Sequence, residues 1–204
     1  MINFDLFIQS TYSLNGSIID IDSLVKQAVE KGYKTLGLVD HNHMYGAIKF
    51  YKKCLASNIK PIIGLELSLE SNFFGALDLV LLSKNNTGYK NLIQISSLIG
   101  TLGTLHLDDI KHVLKDVAII IKSDEGVFSS CIFEEDIVKA KDILKELSNY
   151  SNQVFIGLDL NDYSIELKVA PLIKDLGNAI IINKVKYFNK DDLKTSNILS
   201  KILK

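Results

Sequence analysis

Short apolar runs alternate with longer amphipathic stretches along almost the whole chain, and this alternation constrains the fold more than any other feature. The runs are rich in Ile, Val and Leu and nearly continuous in hydrophobicity, which is typical of strands buried on both faces of a parallel sheet. They predict seven strands, over residues 5–11, 35–40, 60–69, 77–83, 117–123, 154–161 and 178–187. Apolar residues at helical spacing predict helices over residues 22–32, 44–57, 88–99, 108–114, 134–147, 165–176 and 191–203. The first of these helices is expected to have Asp20 or Asp22 as its cap and to end at Gly32.

Strands that alternate with helices predict an α/β domain built from right-handed βαβ units. A length of 204 residues fits one domain. Periodicity leaves open a small closed β/α barrel or an open doubly wound sheet. Both architectures place functional sites at the carboxyl ends of the strands. We therefore expect site residues within 9–13, 40–43, 66–69, 83–86, 123–125, 159–162 and 183–186.

The composition excludes several classes of function. All 23 basic residues are lysines, and with 24 acidic residues the formal net charge is −1. A chain so close to neutral lacks the basic face of an autonomous DNA-binding domain, and without arginine its phosphate recognition would depend on lysines and backbone amides. Cys54 and Cys131 form no CxxC pair, and they are predicted to be free thiols in a reducing cytoplasm. The start of the chain has no basic leader, and no apolar run approaches the roughly 20 residues that span a bilayer, so no membrane partner is expected.

Asp40, His41 and His43 follow directly on the second predicted strand. A carboxylate and two imidazoles at the end of a strand suit metal binding or acid–base chemistry. The structural alternative is that Asp40 caps the next helix and the histidines bond the loop backbone. Glu66 lies inside a strongly apolar strand, and because a buried carboxylate needs a polar partner, it is expected to face a polar pocket.

Five segments, in order, resemble the PHP (polymerase and histidinol phosphatase) domain. More narrowly, they resemble the PHP domain at the N-terminus of bacterial DNA polymerase III alpha subunits. The segments are residues 11–16 (TYSLNG), 38–51 (LVDHNHMYGAIKFY), 59–66 (IKPIIGLE), 79–92 (with LVLLSKN and GYKNL) and 183–187 (NKVKY). The resemblance covers about residues 4–195 and is strongest over 11–98. It implies a distorted, seven-stranded, TIM-like β/α barrel, in agreement with the predicted number of strands.

The resemblance also implies a site of two or three metal ions that hydrolyses phosphate esters, but this sequence departs from the ligand pattern. The imidazole pair of the first strand falls on Phe7 and Gln9, and the acidic position after it is Asn15. His41 and Glu66 are retained at ligand positions, and Asp78 stands where a histidine is expected. Multinuclear sites need a dense shell of ligands, so no metal is expected in this domain. If a metal binds, the candidate ligands are His41, Glu66 and Asp78.

Lys184 and Lys186 replace the last Asp-x-His of the implied ligand set. Because they are two residues apart, their side chains are predicted to lie on the same side of the last strand. We hypothesise that their ammonium groups replace the lost metal charge and neutralise Glu66, Asp78 and also Asp40. The alternative is that one lysine simply extends to solvent.

As a PHP domain of this kind, residues 1–190 would form the domain, and residues 191–204 would begin the connection to a polymerase core. That core would hold Mg and synthesise DNA, so DNA would be a partner of the parent chain. The domain itself would be structural: it would pack on the core and dock a proofreading exonuclease subunit or other replisome proteins. One alternative is an active phosphoesterase or 3′–5′ exonuclease that uses Asp40, His41, His43, Glu66 and Asp78 with Mn, Zn or Mg. A second alternative is an unrelated β/α barrel that binds a small molecule.

Overall fold

The computed structural model describes residues 4–14, 17–159 and 176–202. The chain divides into two compact units: unit 1 comprises residues 1–65 and 183–204, and unit 2 comprises residues 66–182. Both units contain strands and helices, so the predicted α/β class is confirmed. Asn15 and almost all of the predicted helix over 165–176 lie outside the described residues.

In unit 1, the second strand is buried almost to its end. Its elements are the strands β1 (Phe4–Asp5), β2 (Thr35–His41) and the start of β3 (Lys60–Ser71), with the helices α1 (Ile21–Glu30), α2 (Ala47–Ala56) and α7 (Leu193–Ile202). β1 and β2 are parallel, and Ile8 forms a further parallel bridge with Val185. Of the two predicted caps of α1, Asp20 is the one used, because its side chain accepts a hydrogen bond from Ser23 N at 2.9 Å. The buried centre of β2 ends at Asp40.

Unit 2 is built around a fully buried strand. Its elements are the rest of β3, the strands β4 (Gly75–Ser83), β5 (Val117–Lys122), β6 (Val154–Leu158) and β7 (Ala179–Ile181), and the helices α3 (Asn86–Leu102), α4 (Leu107–Ile110), α5 (Gly126–Phe133) and α6 (Ile137–Ser148). Neighbouring strands in the sheet follow the order of the chain. β5 lies between β4 and β6, and all six of its residues are buried. Lys122 is the charged exception in this otherwise apolar strand.

β4 reverses the direction of the sheet, which corrects the prediction of parallel βαβ units at this place. It is antiparallel to β5, whereas the β5–β6 and β6–β7 pairs are parallel. Only residues 72–74 separate β3 from β4, and a parallel pair needs a connection of about a dozen residues or more. Ser83, at the end of β4, pairs with Val117 at the start of β5. The segment 83–86 therefore lies at the edge opposite the carboxyl ends of β5, β6 and β7, and its prediction as a site segment was wrong.

Other elements differ from the predictions in extent. Of the predicted strand over 5–11, only Asp5 is in a strand, and of the one over 178–187 only Ala179–Ile181 is. The helix α5 was not predicted, because Gly126–Phe133 is mostly apolar and has no amphipathic period. Among the described helices, none combines the length and the apolar character that are needed to cross a bilayer.

Candidate functional site

Asp40 in unit 1 fastens the loop after β1 onto the end of β2. The residue is 2% exposed. Its Oδ1 accepts hydrogen bonds from Ser10 N at 2.7 Å and Ser13 Oγ at 2.7 Å, and Ser10 Oγ lies within 3.0 Å of both carboxylate oxygens. Burial raises the pKa of the Asp40 carboxyl, and the hydrogen bonds from Ser13 and Ser10 act against that rise. Asp40 does not cap the next helix, as the structural alternative assumed, because the N-cap of α2 is Gly46, without a side-chain cap.

The two histidines of the cluster follow Asp40: His41 is the last residue of β2, and His43 lies in the loop after it. His41 N donates a hydrogen bond to Ser13 Oγ at 3.1 Å, so the same serine binds Asp40 and the next backbone amide. Asn42 adopts a left-handed φ of 59°, which asparagine tolerates better than most residues. The ring of His43 stacks on Tyr45, with 4.8 Å between centroids and 13° between planes. Asp40, His41 and His43 thus lie at the end of β2 and in the loop that follows it, and their role as site residues stays a prediction.

The first-strand positions of the implied ligand set are buried in unit 1. Phe7 is 2% exposed and Gln9 is 0% exposed. Lys184 Nζ lies 5.3 Å from the centroid of the Phe7 ring, within the range of a cation–π contact. The carbonyl oxygen of Lys186 accepts a hydrogen bond from Ile18 N at 3.0 Å. In this unit a lysine ammonium therefore lies beside Phe7, one of the ligand positions that the resemblance implies.

Glu66 in unit 2 contacts a buried cation that the sequence analysis did not select. Lys122 Nζ lies 3.1 Å from Glu66 Oε1, and these side chains are only 2% and 5% exposed. The same ammonium donates a hydrogen bond to Glu125 Oε2, on a side chain that is half exposed. Glu66 thus has a charged partner, as a buried carboxylate requires, and the expectation that it faces a polar pocket stays a prediction. Lys122 could have been predicted to need a charged partner in the same way as Glu66, because both are charged residues inside apolar strands.

Lys122 keeps its charge in this environment. Burial is the largest influence on its pKa and acts to lower it, but the Glu66 and Glu125 carboxylates outweigh burial, so the pKa is raised. Burial also raises the pKa of the neighbouring Asp124 carboxyl. The Asp124 Oδ1 atom is buried and has no hydrogen-bond partner among the described residues. The end of β5 therefore collects one ammonium and several carboxylates.

Asp78, the remaining acidic candidate, lies at the start of β4 in unit 2. Its Oδ1 accepts a hydrogen bond from Ser68 Oγ. Its Oδ2 packs so closely on Gly126 that a Cβ at this glycine would lie 2.3 Å away. Gly126 has a φ of +70°, so both its conformation and this contact favour glycine. Asp78 therefore packs against the first residue of α5, directly after Glu125.

Comparisons with known proteins identify the family. The family model "PHP domain" matches residues 5–163, which include parts of both units. The chain belongs to the PHP domain family. The curated relatives of this PHP domain include DNA polymerase III alpha subunits of three bacteria. The *Bacillus subtilis* protein is 48% identical over 46% of this chain and 9% of its own length. A Streptococcus pyogenes protein is 28% identical over 95% of this chain and 16% of its own length. The Halalkalibacterium halodurans protein is 24% identical over 97% of this chain and 18% of its own length.

The PHP chain thus spans less than a fifth of the length of each of these relatives. Solved structures support the fold. A candidate metal-dependent phosphoesterase from *Bifidobacterium adolescentis* gives a TM-score of 0.52 at 8% identity, over 96% of each chain. An amidohydrolase from *Chromobacterium violaceum* gives 0.50 at 11% identity, over 97% of this chain and 96% of its own. At these identities the likeness concerns the fold alone.

In each unit, residues at or beside the ligand positions that the resemblance implies have contacts or chemistry that do not suit a metal ion. Phe7 offers no donor atom, and Asp40 Oδ1 is already bound by donors from Ser10 and Ser13. Glu66 Oε1 faces the Lys122 ammonium, which would repel a divalent cation. Within residues 4–14, 17–159 and 176–202, no group of three or more His, Cys, Asp or Glu side chains is placed to hold a metal ion. The expectation that Lys184 and Lys186 neutralise Glu66, Asp78 and also Asp40 stays a prediction.

Proposed function

We propose that this chain is the N-terminal PHP domain of a bacterial replicative DNA polymerase alpha subunit and acts there as a cytoplasmic structural and docking module. Support comes from the 28% identity to a DNA polymerase III alpha subunit over 95% of this chain and 16% of that relative. In this proposal, residues 1–190 form the distorted seven-stranded barrel and residues 191–204 begin the connection to the polymerase core. That core binds DNA and uses Mg to add nucleotides.

The observation that carries the structural role is the Lys184 ammonium beside the buried Phe7 ring, 5.3 Å from its centroid. In unit 1, a ligand position of the family is filled by a side chain without a donor atom, and a fixed positive charge lies next to it. Such a pair stabilises the fold and leaves no ligand for a metal there. We therefore propose that the phosphoesterase activity of the family has been lost in this domain.

A surface in unit 1 suits the docking role. Ile48, Tyr51 and Leu55 of α2 are 54%, 45% and 51% exposed, and they lie at i, i+3 and i+7 on one face of the helix. We call these three residues the α2 stripe. The adjacent face, with Ala47, Phe50 and Cys54, is buried. We propose that the α2 stripe packs on the polymerase core of the same subunit, because relatives of this chain are several times its length and offer that partner.

Variants of the full-length alpha subunit that carries this domain test the proposal. Ile48→Asp with Leu55→Asp is expected to lower the Tm of the subunit and its DNA synthesis, because two charges would be buried at the proposed contact. Val29→Asp with Val138→Asp is the matched control, since these valines are 50% and 72% exposed outside the stripe. His41→Gln is expected to leave DNA synthesis unchanged.

Other outcomes would favour a different account. If the α2 stripe variant and its control have the same Tm and activity, the docking surface lies elsewhere. If the full-length subunit excises a 3′ nucleotide and His41→Gln abolishes this excision, the domain is an active exonuclease that retains His41 and Glu66 as ligands. Loss of a proofreading subunit from the α2 stripe variant, with an unchanged Tm, would assign the stripe to that subunit instead.

A further inference from the structure

Lys122 is buried where a protein rarely places a lysine. It is the last residue of β5, whose other five residues are all apolar and buried, and its own exposure is 2%. Transfer of an ammonium ion from water to an apolar interior costs so much free energy that fully buried lysines occur almost only with charged partners. A lysine at this position therefore needs charged partners that compensate the burial of its ammonium group.

Carboxylates around Lys122 compensate its buried charge. Glu66 reaches the ammonium from β3 at 3.1 Å, and Glu125 reaches it from the residue that precedes α5. Two elements of unit 2, far apart in sequence, thus direct carboxylates at one point. Asp124 adds a third carboxyl group close by, with a buried Oδ1. Without a cation at this point, the carboxylates would repel each other in a poorly solvated site.

Convergent carboxylates around one positive charge are also the arrangement that binds a hard divalent cation. Here the point of convergence is the Nζ atom of Lys122. We propose that Lys122 is a resident cation that takes the place of a divalent metal ion between Glu66 and Glu125. The inference deepens the proposed function, because it rests on the loss of the metal-dependent activity and names the group that makes the metal unnecessary in unit 2.

The proposal predicts that removal of the ammonium creates a cation requirement. In Lys122→Ala the two carboxylates remain and the space of the side chain becomes available to Mn²⁺ and water. We expect the Tm of this variant to rise by about 5–10 °C when Mn²⁺ is about 100-fold above its Kd. The wild-type chain is expected to show no such rise. Lys122→Ala combined with Glu66→Gln should lose the rise, and Lys141→Ala, at an exposed position of α6, is the control for loss of a lysine.

The results of the Mn²⁺ experiments distinguish the replacement of a metal by Lys122 from the alternatives. If Lys122→Ala does not fold without a cation, refolding with Mn²⁺ but not with K⁺ supports the proposal, and failure in both solutions contradicts it. If Lys122→Ala folds with a Tm that Mn²⁺ does not change, Lys122 does not replace a metal, although the structural function would stand. If the wild-type chain binds Mn²⁺ through Glu66 and hydrolyses a phosphate ester, the proposed function itself fails.

Discussion

Replacement of Lys122 by Met is expected to lower the free energy of unfolding by about 3–5 kcal/mol, because it leaves the buried Glu66 carboxylate without this cation. Glu66 and Lys122 are 4% and 2% exposed, so solvent does not screen their contact. Methionine is similar in length to the lysine stem and apolar, so little packing is lost with the charge. Urea unfolding followed by circular dichroism measures the change, as a lower midpoint at an unchanged slope.

A double-mutant cycle separates the ion pair from the packing. Lys122→Met with Glu66→Gln is expected to be less destabilised than Lys122→Met alone, because the buried Glu66 charge that loses its Lys122 contact is then absent. Lys141→Met is the matched control on the exposed surface of unit 2, and its effect should stay within about 0.5 kcal/mol. A loss below about 1 kcal/mol for Lys122→Met, within the range of an exposed ion pair, would contradict the account of the Lys122 site.

Asp40→Ala is expected to lower the free energy of unfolding by about 2–4 kcal/mol, because the Ser10 amide and the Ser10 and Ser13 hydroxyls lose a buried acceptor. The loop after β1 would then lose its attachment to β2. Asp40→Asn keeps one acceptor oxygen and should cost less than about 1.5 kcal/mol. Urea unfolding of both variants tests this, and equal losses would show that the hydrogen bonds do not fasten the loop.

The wild-type chain and the Asp40→Asn variant together test the raised pKa of Asp40. The folded state holds the Asp40 proton to a higher pH than the unfolded state does, so the contribution of Asp40 to stability is full at low pH. It is lost as the pH rises from the usual range of an aspartate carboxyl through the raised value. The stability of the wild-type chain relative to Asp40→Asn should therefore fall as the pH rises through the usual range of an aspartate carboxyl and above it. A constant difference over that range would contradict the raised pKa.

Much of the fold follows from the hydrophobic pattern. Strands β2, β3, β4 and β5 form within two residues of the predicted bounds, because a continuous run of branched apolar residues has few other ways to be buried. The direction of β4 was not predicted, because hydrophobicity is the same for a strand that runs either way. The short connection over 72–74 carried that information, since it is too short for a parallel crossover.

The candidate site was predictable in part. Asp40, His41 and His43 lie together because they are adjacent in sequence and follow a strand, and Glu66 was expected to need a partner from its position in an apolar run. Lys122 was missed because the expected site segment after its strand began at residue 123, whereas the lysine lies inside the apolar strand itself. The Asp40 network was missed because serines such as Ser10 and Ser13 are common in loops, and only the fold brings them to the carboxylate.

The metal content of the purified chain tests the central claim most directly. The chain should be prepared with Mn²⁺, Zn²⁺ and Mg²⁺ in turn, desalted, analysed by inductively coupled plasma mass spectrometry and assayed for hydrolysis of a phosphate ester. We predict no stoichiometric metal and no hydrolysis, because in unit 2 the Lys122 ammonium contacts Glu66, and in unit 1 the Lys184 ammonium lies beside Phe7 and the Asp40 carboxylate is hydrogen-bonded. One or more ions per chain, with hydrolysis that His41→Ala abolishes, would contradict this prediction.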